Sequence, residues 1–131
     1  MLINRELLDK VSAAAKRSER LRMNYNFHDS LAAPSQRLLN ALEPGTIMPV
    51  HRHRHTSETY ILIRGAIKMM FYSDSGEVTE SVILSDKNDN FGYNIPVGQW
   101  HSLEVLESDT VIFETKDGPY APLSDDDILR V

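Results

Sequence analysis

Three histidines stand at every second position in His51-Arg52-His53-Arg54-His55, and Glu58 follows three residues after the last of them. Neutral imidazole and carboxylate are good donors for first-row divalent ions, so this stretch is a candidate metal site. Two residues is the repeat of a β-strand, and an extended segment would turn His51, His53 and His55 to one side and Arg52 and Arg54 to the other, toward solvent. Two imidazoles of one strand and a carboxylate fill one face of a coordination sphere and need a fourth donor from elsewhere in the chain. His101 is placed to supply it, because it follows Pro96-Val97-Gly98-Gln99-Trp100, a tight turn leading into a strand. Three His and one Glu leave two positions open on an octahedral ion, the mark of a metal available to a substrate. The chain has no cysteine, which excludes disulfides, thiolate zinc sites and cysteine nucleophiles and leaves metal binding to His and carboxylate alone.

Parity nominates the residues around the ion. His55 shares the parity of His51 and His53, and Tyr60 and Leu62 share that of Glu58, so on unbroken strands all would face one cavity. His55 and Tyr60 are then candidates for giving or taking a proton beside the metal. Leu103 and Val105 share the parity of His101 and make part of the wall apolar, so Leu103 joins Tyr60 as a candidate substrate contact. Trp100 should face the other way. His28 lies in the polar segment Asn24 to Ser30, which could fold over the cavity mouth, and is the third substrate candidate. Arg17, Arg20, Arg22 and Arg37 would form an anion-binding patch if they converge. The run Asp125-Asp126-Asp127 reads as a solvated turn with a helix start at Ser124.

The elements that must position these residues are short strands. The chain has 131 residues, a net charge of −5, 41% hydrophobic and 25% charged residues, the balance of one globular domain with a core of its own. Asn4 is a helix N-cap, and Leu7, Leu8, Val11, Ala14 and Ala15 fall at helical spacing, which predicts an amphipathic helix ending near Arg20. From Arg37 the pattern changes to β-rich runs, predicting strands at 37–42, 59–63, 66–72, 78–84, 91–95, 100–106 and 110–115. Turn chemistry separates them, as in Glu43-Pro44-Gly45, Arg64-Gly65 and Asp74-Ser75-Gly76. Such strands with no connecting helix must close or stack to hide their edges, so the fold class is all-β, a sandwich, jelly roll or small barrel. No apolar run approaches the roughly 18 to 20 residues of a membrane span and the N-terminus lacks a signal-peptide core, so the expectation is a soluble, cytoplasmic protein without a membrane partner. Mild acidity argues against a nucleic-acid partner.

Gly45, His51, His53, Glu58 and Gly65, with five, one, four and six residues between them, resemble the first motif of the cupins, and Pro96-x-Gly98-x-x-His101 resembles the core of the second. The two stand in the right order, and the resemblance covers about Arg37 to Thr115. The second motif usually opens with Gly where this chain has Asn90 and closes with Asn where it has Val105; neither change removes a ligand. The segments Arg20–Asp29 and Gln36–Gly45 further resemble the WbuC-type cupin-fold metalloproteins, which are associated with bacterial O-antigen gene clusters. The resemblance implies an RmlC-like double-stranded β-helix, or jelly roll, at 37–118, with a helix and polar loop segment at 1–36 packing on it and a tail at 119–131. It implies one divalent transition-metal ion per chain, zinc, iron, manganese, nickel or copper, held by His51, His53, Glu58 and His101, and a homodimer. Such an ion could polarise a carbonyl, which is isomerase or epimerase chemistry on a sugar or nucleotide sugar, or handle dioxygen if it is iron. A noncatalytic metal-dependent binding module and a metal-free isomerase with histidine bases are the alternative readings.

Overall fold

Helix α1 (Arg5–Arg17) starts where the sequence places it. The Asn4 side chain, on extended backbone, accepts the Leu7 N–H at 3.1 Å, satisfying one of the donors that a first helical turn leaves open. The helix stops at Ser18, short of the expected end near Arg20. Its stripe of Leu7, Leu8, Val11 and Ala15 is buried against Leu39, Ala41 and Val111.

The computed structural model, which describes residues 1–130, places ten strands after this helix: β1 (Arg22–Asn26), β2 (Ser35–Leu42), β3 (Val50–His51), β4 (Glu58–Arg64), β5 (Ala66–Tyr72), β6 (Val78–Ser85), β7 (Gly92–Ile95), β8 (Trp100–Val105), β9 (Thr110–Asp117) and β10 (Ile128–Leu129). They form two five-stranded antiparallel sheets, in the orders β1-β2-β9-β4-β7 and β10-β3-β8-β5-β6. The inner faces enclose a core that includes Ile67, Met69, Phe71, Leu103, Val105 and Ile112. Alternation on β2 explains why Leu38–Leu42 is buried without a break: Leu42 turns into this core, while Leu39 and Ala41 lie under α1. At the β4–β5 turn Gly65 sits at φ +88° with Thr110 packed where a Cβ would be, so only glycine fits there. Among the described residues no helix is long and apolar enough to cross a membrane.

Three elements differ from the sequence reading. Arg22–Asn26 was expected as polar loop but pairs with β2 from Arg22↔Leu42 to Asn26↔Leu38. Its inward positions Arg22, Asn24 and Asn26 line a polar cavity, so the usual apolar alternation of a half-buried strand is missing. The histidine segment is extended only at Val50–His51; residues 52–57 leave the ladder. Finally, Asp125–Asp127 forms a short 3-10 turn starting at Ser124, as expected, but the chain then pairs Ile128 with His51, so the tail adds an unexpected β10 beside the histidine strand.

Candidate metal centre

Two sheets contribute to one cluster. β3 and β8 pair at His51↔His101, which sets the two imidazole centroids 4.3 Å apart. His53 lies beyond the end of β3 and is held by its own carbonyl, which accepts the Gly98 N–H at 2.8 Å. Gly98 adopts φ +80° in the turn before His101, so one turn fixes both histidines. Glu58 is the first residue of β4 in the other sheet. Each of His51, His53, Glu58 and His101 offers a donor atom, and these atoms all lie within 4.8 Å of one another.

The protonation pattern suits a cation. His51 Nδ1 donates to the Pro49 carbonyl and His101 Nδ1 to the Gln99 carbonyl, both at 2.9 Å. A carbonyl only accepts, so each ring carries its proton on Nδ1 and turns the Nε2 lone pair into the cluster. Glu58 Oε1 is 2.8 Å from His53 Nε2 and 3.4 Å from His101 Nε2, yet Oε1 and His101 Nε2 are buried without a hydrogen-bond partner among the described residues. Lone pairs facing each other this closely are relieved by a positive ion between them, and a His/carboxylate set fits a divalent metal. Burial, and then the neighbouring His101, push the His51 imidazole down to about 4, so it is neutral near pH 7, as a ligand must be. Burial acts to raise the Glu58 carboxyl, and it is held below the usual carboxylate range only while His101 and His53 turn a proton toward it, the place that a metal ion would take.

His51, His53 and Glu58 form part of the wall of a cavity of about 430 Å³, with His101 buried behind them. Across the sheet, Glu58 lies opposite Lys116 and Tyr60 opposite Glu114, and both Lys116 and Glu114 face the cavity. Asn40 Nδ2 donates to Glu114 Oε1 at 2.9 Å. Burial, followed by the charge on Glu58, pushes the Glu114 carboxyl up to about 7. Sequence reading missed Glu114, although the alternation Ile112-x-Glu114-x-Lys116 on β9 carries the signal.

The remaining candidates divide. Tyr60 faces the cavity, is buried, and has its phenol raised well above 10, first by burial and then by Glu114 and Glu58. His28 also lines it. Its Nδ1 accepts the Arg37 N–H at 3.0 Å, which leaves the ring proton on Nε2. His55 must be corrected: it is exposed and outside the metal cavity, because the chain bends after His51 and strand parity no longer applies. Leu103 must be corrected too: it faces inward as parity predicts, but the interior at that level is filled by core side chains and the cavity does not reach it. Trp100 faces away as expected, with its Nε1 donating to Asp74 and the Arg52 guanidinium 4.3 Å over its ring. Arg54 and Arg52 both engage Asp127, at 2.6 and 3.3 Å, so that aspartate braces the histidine segment.

Two antiparallel sheets that bring three histidines and one glutamate together have the cupin fold. Residues 3–84 match a family described as a domain of unknown function, DUF6016, and the chain belongs to that family. Its structure is similar to that of the capsular polysaccharide assembling protein CapF from Staphylococcus aureus, with 22% identity and a TM-score of 0.58 over 76% of this chain and 28% of CapF. It is similar to the cupin domain of Schizosaccharomyces pombe Cnp3, with 10% identity and a TM-score of 0.59 over 76% of this chain and 66% of that one. Bacillus subtilis oxalate decarboxylase, described with Mn(II) centres, shares the fold at 16% identity and a TM-score of 0.57 over 84% of this chain and 28% of that one. The chain thus spans less than a third of CapF and of oxalate decarboxylase. No curated protein matches it in sequence.

Proposed function

We propose that this chain is a WbuC-type cupin metalloprotein that holds one divalent transition-metal ion through His51, His53, Glu58 and His101. Its substrate is a small polar molecule, a sugar or nucleotide sugar of bacterial polysaccharide biosynthesis such as that of O-antigen, and its reaction is isomerase- or epimerase-like. The observation that carries this reading is the convergence of four donor atoms within 4.8 Å of one another, three of whose residues line a 430 Å³ cavity. The description of CapF as a capsular polysaccharide assembling protein supports the polysaccharide setting, and the Mn(II) centres of oxalate decarboxylase support a divalent ion in this fold.

When bound, the ion would act as a Lewis acid on a substrate carbonyl. The backbone carbonyls of Pro49 and Gln99 hold His51 and His101 in the tautomer a ligand needs. Glu114, with its carboxyl near 7 and its orientation fixed by Asn40, is the group suited to take a proton from one substrate carbon and return it to another. Tyr60 keeps its phenolic proton and can only donate. A homodimer that covers the exposed Ile61, Ile63 and Phe91 beside the open β7 edge fits this reading.

The test is elemental analysis of protein purified without a histidine tag, on wild type and on a His51→Ala/His53→Ala variant, with thermal stability read in parallel. About one metal per chain in wild type, lost in a variant that still folds, is the expected result, and nucleotide sugars are then screened for rearrangement with that metal. Saturable binding of a sugar without turnover would reassign the domain as a binding module. No metal after incubation with divalent ions would overturn the ligand assignment and return the histidines to acid–base roles.

A further inference from the structure

Beyond the metal cluster, the cavity carries charge mostly of one sign. Arg20 and Arg22 line it together with Lys116, whereas Arg17 and Arg37 do not. Register places Arg22 level with Leu42, three inward-facing positions along β2 from Gln36, which lies opposite Lys116 and through it Glu58. The arginines therefore sit at the end of the sheet remote from the metal ligands. Arg22 is pinned by Nη1 alone, which donates to the Ile47 carbonyl at 2.9 Å and to Thr46 Oγ1 at 3.3 Å. Among the described residues no carboxylate pairs with Arg22 or Arg20. Burial and the adjacent Arg20 charge both push the Arg22 guanidinium down, as for a cation without a counter-charge.

Between the two ends stands an acceptor without a donor. Asn40 is 5% exposed, spends Nδ2 on Glu114, and has a buried Oδ1 with no hydrogen-bond partner among the described residues. A buried amide oxygen of this kind is completed by an incoming O–H or N–H. The cavity volume suits a monosaccharide derivative. Three cationic side chains and a divalent ion outweigh Glu58 and Glu114, so a neutral sugar would leave positive charge uncompensated while an anion would be drawn in.

We propose that the cavity takes a small hydroxylated anion, a sugar acid or a sugar phosphate, with its negative group at Arg22 and Arg20 and one hydroxyl donated to Asn40 Oδ1. This rests on the reading of the site as a metal-dependent sugar site and narrows its substrate to charged sugars. Calorimetric titration of metal-loaded protein with glucose, glucuronate and glucose 6-phosphate tests it, with metal content measured on the same sample. One or both anions should bind about tenfold or more tightly than glucose, with affinity falling as salt rises; the tighter of the two identifies carboxylate or phosphate as the charge recognised. Arg22→Gln should abolish the preference while metal content stays unchanged. Arg20→Gln, whose native side chain makes no bond within the described residues, should weaken it even if the first variant folds poorly. Asn40→Leu should weaken both anions and glucose alike. Glucose binding as tightly as the anions, a preference that survives loss of both arginines, or no binding by any probe at millimolar concentration would overturn the proposal. With the metal present these results leave the metal reading standing, whereas absence of metal removes that reading instead.

Discussion

If the metal is stripped with a chelator and the pH is varied between 4.5 and 7, one buried and one half-buried group, His51 and Glu114, should pull stability in opposite directions. The His51 imidazole goes from 6.5 in the unfolded chain to about 4 in the fold. Between those values the unfolded state holds more protons, so stability rises with pH, by about 3 kcal/mol over a gap of about 2.5 pH units at about 1.4 kcal/mol each. Glu114 goes the other way, from 4.5 unfolded to about 7 folded. There the folded state holds more protons, so stability falls with rising pH by a similar amount, about 3 kcal/mol. Across the shared window the two slopes cancel, and the metal-free protein should show a nearly flat melting temperature. His51→Asn keeps a donor for the Pro49 carbonyl and should unmask a fall with rising pH. Glu114→Gln keeps an acceptor for Asn40 and should unmask a rise. At about 2.1 cal/mol/K per residue, each variant's melting temperature should drift by about 10 °C for a chain of 131 residues. Differential scanning calorimetry at several pH values with chelator present reads this directly. Single variants as flat as wild type, or slopes of the reverse sign, would refute the assignment of these two titrations.

A divalent ion at a hundredfold excess over its dissociation constant should add about 2.7 kcal/mol to wild-type stability, or about 10 °C; Glu58→Gln, which removes the anionic ligand, should keep less than half of that gain at the same concentration in a thermal-shift assay. Gly65→Ala forces φ +88° on a residue with a Cβ and drives that carbon into the Thr110 backbone and side chain, so a loss of several kcal/mol and a collapse of the circular dichroism melt are expected. Asn4→Ala should cost about 1 kcal/mol in urea unfolding by removing the cap on Leu7, with metal content unchanged, since α1 packs on the outer face of the sheet.

How much of this was legible in the sequence depended on whether local chemistry or distant packing set each residue's place. Asn4, the apolar stripe of α1 and the seven strands from β2 onward except the shortest ones were readable, because capping residues, turn residues and alternation act locally. The four residues of the cluster were readable because two motifs of fixed spacing carry them, and β3 and β8 then align His51 with His101. His55 was misplaced because a two-residue strand has no parity to transmit beyond its end; what directs the following residues is the Gly98 bond to His53 and the Asp127 brace on Arg52 and Arg54, both long-range. Leu103 shows that facing inward and facing the cavity are different properties, since packing from β5 fills the interior at that level. β1 was invisible because a strand lining a polar cavity shows asparagine and arginine where a core strand shows valine. Glu114 was overlooked for the same reason, as a charged residue on an apparently ordinary strand.

Because His51 and His101 hang from one sheet, with His53 tied beside them through Gly98, and Glu58 hangs from the other, the cluster straddles the seam between the two layers of the barrel. Its fit to an ion depends on the spacing of those layers, which the side chains beneath it set. Enlarging or shrinking a core residue such as Met69, Leu103 or Ile112, none of them a ligand, should move the carboxylate relative to the imidazoles before it unfolds anything. Metal affinity in this protein is therefore a gauge of how closely its two halves are seated. A series of core variants could be ranked by ion binding alone, with the metal reading out strain that a melting curve would record only after the barrel had opened.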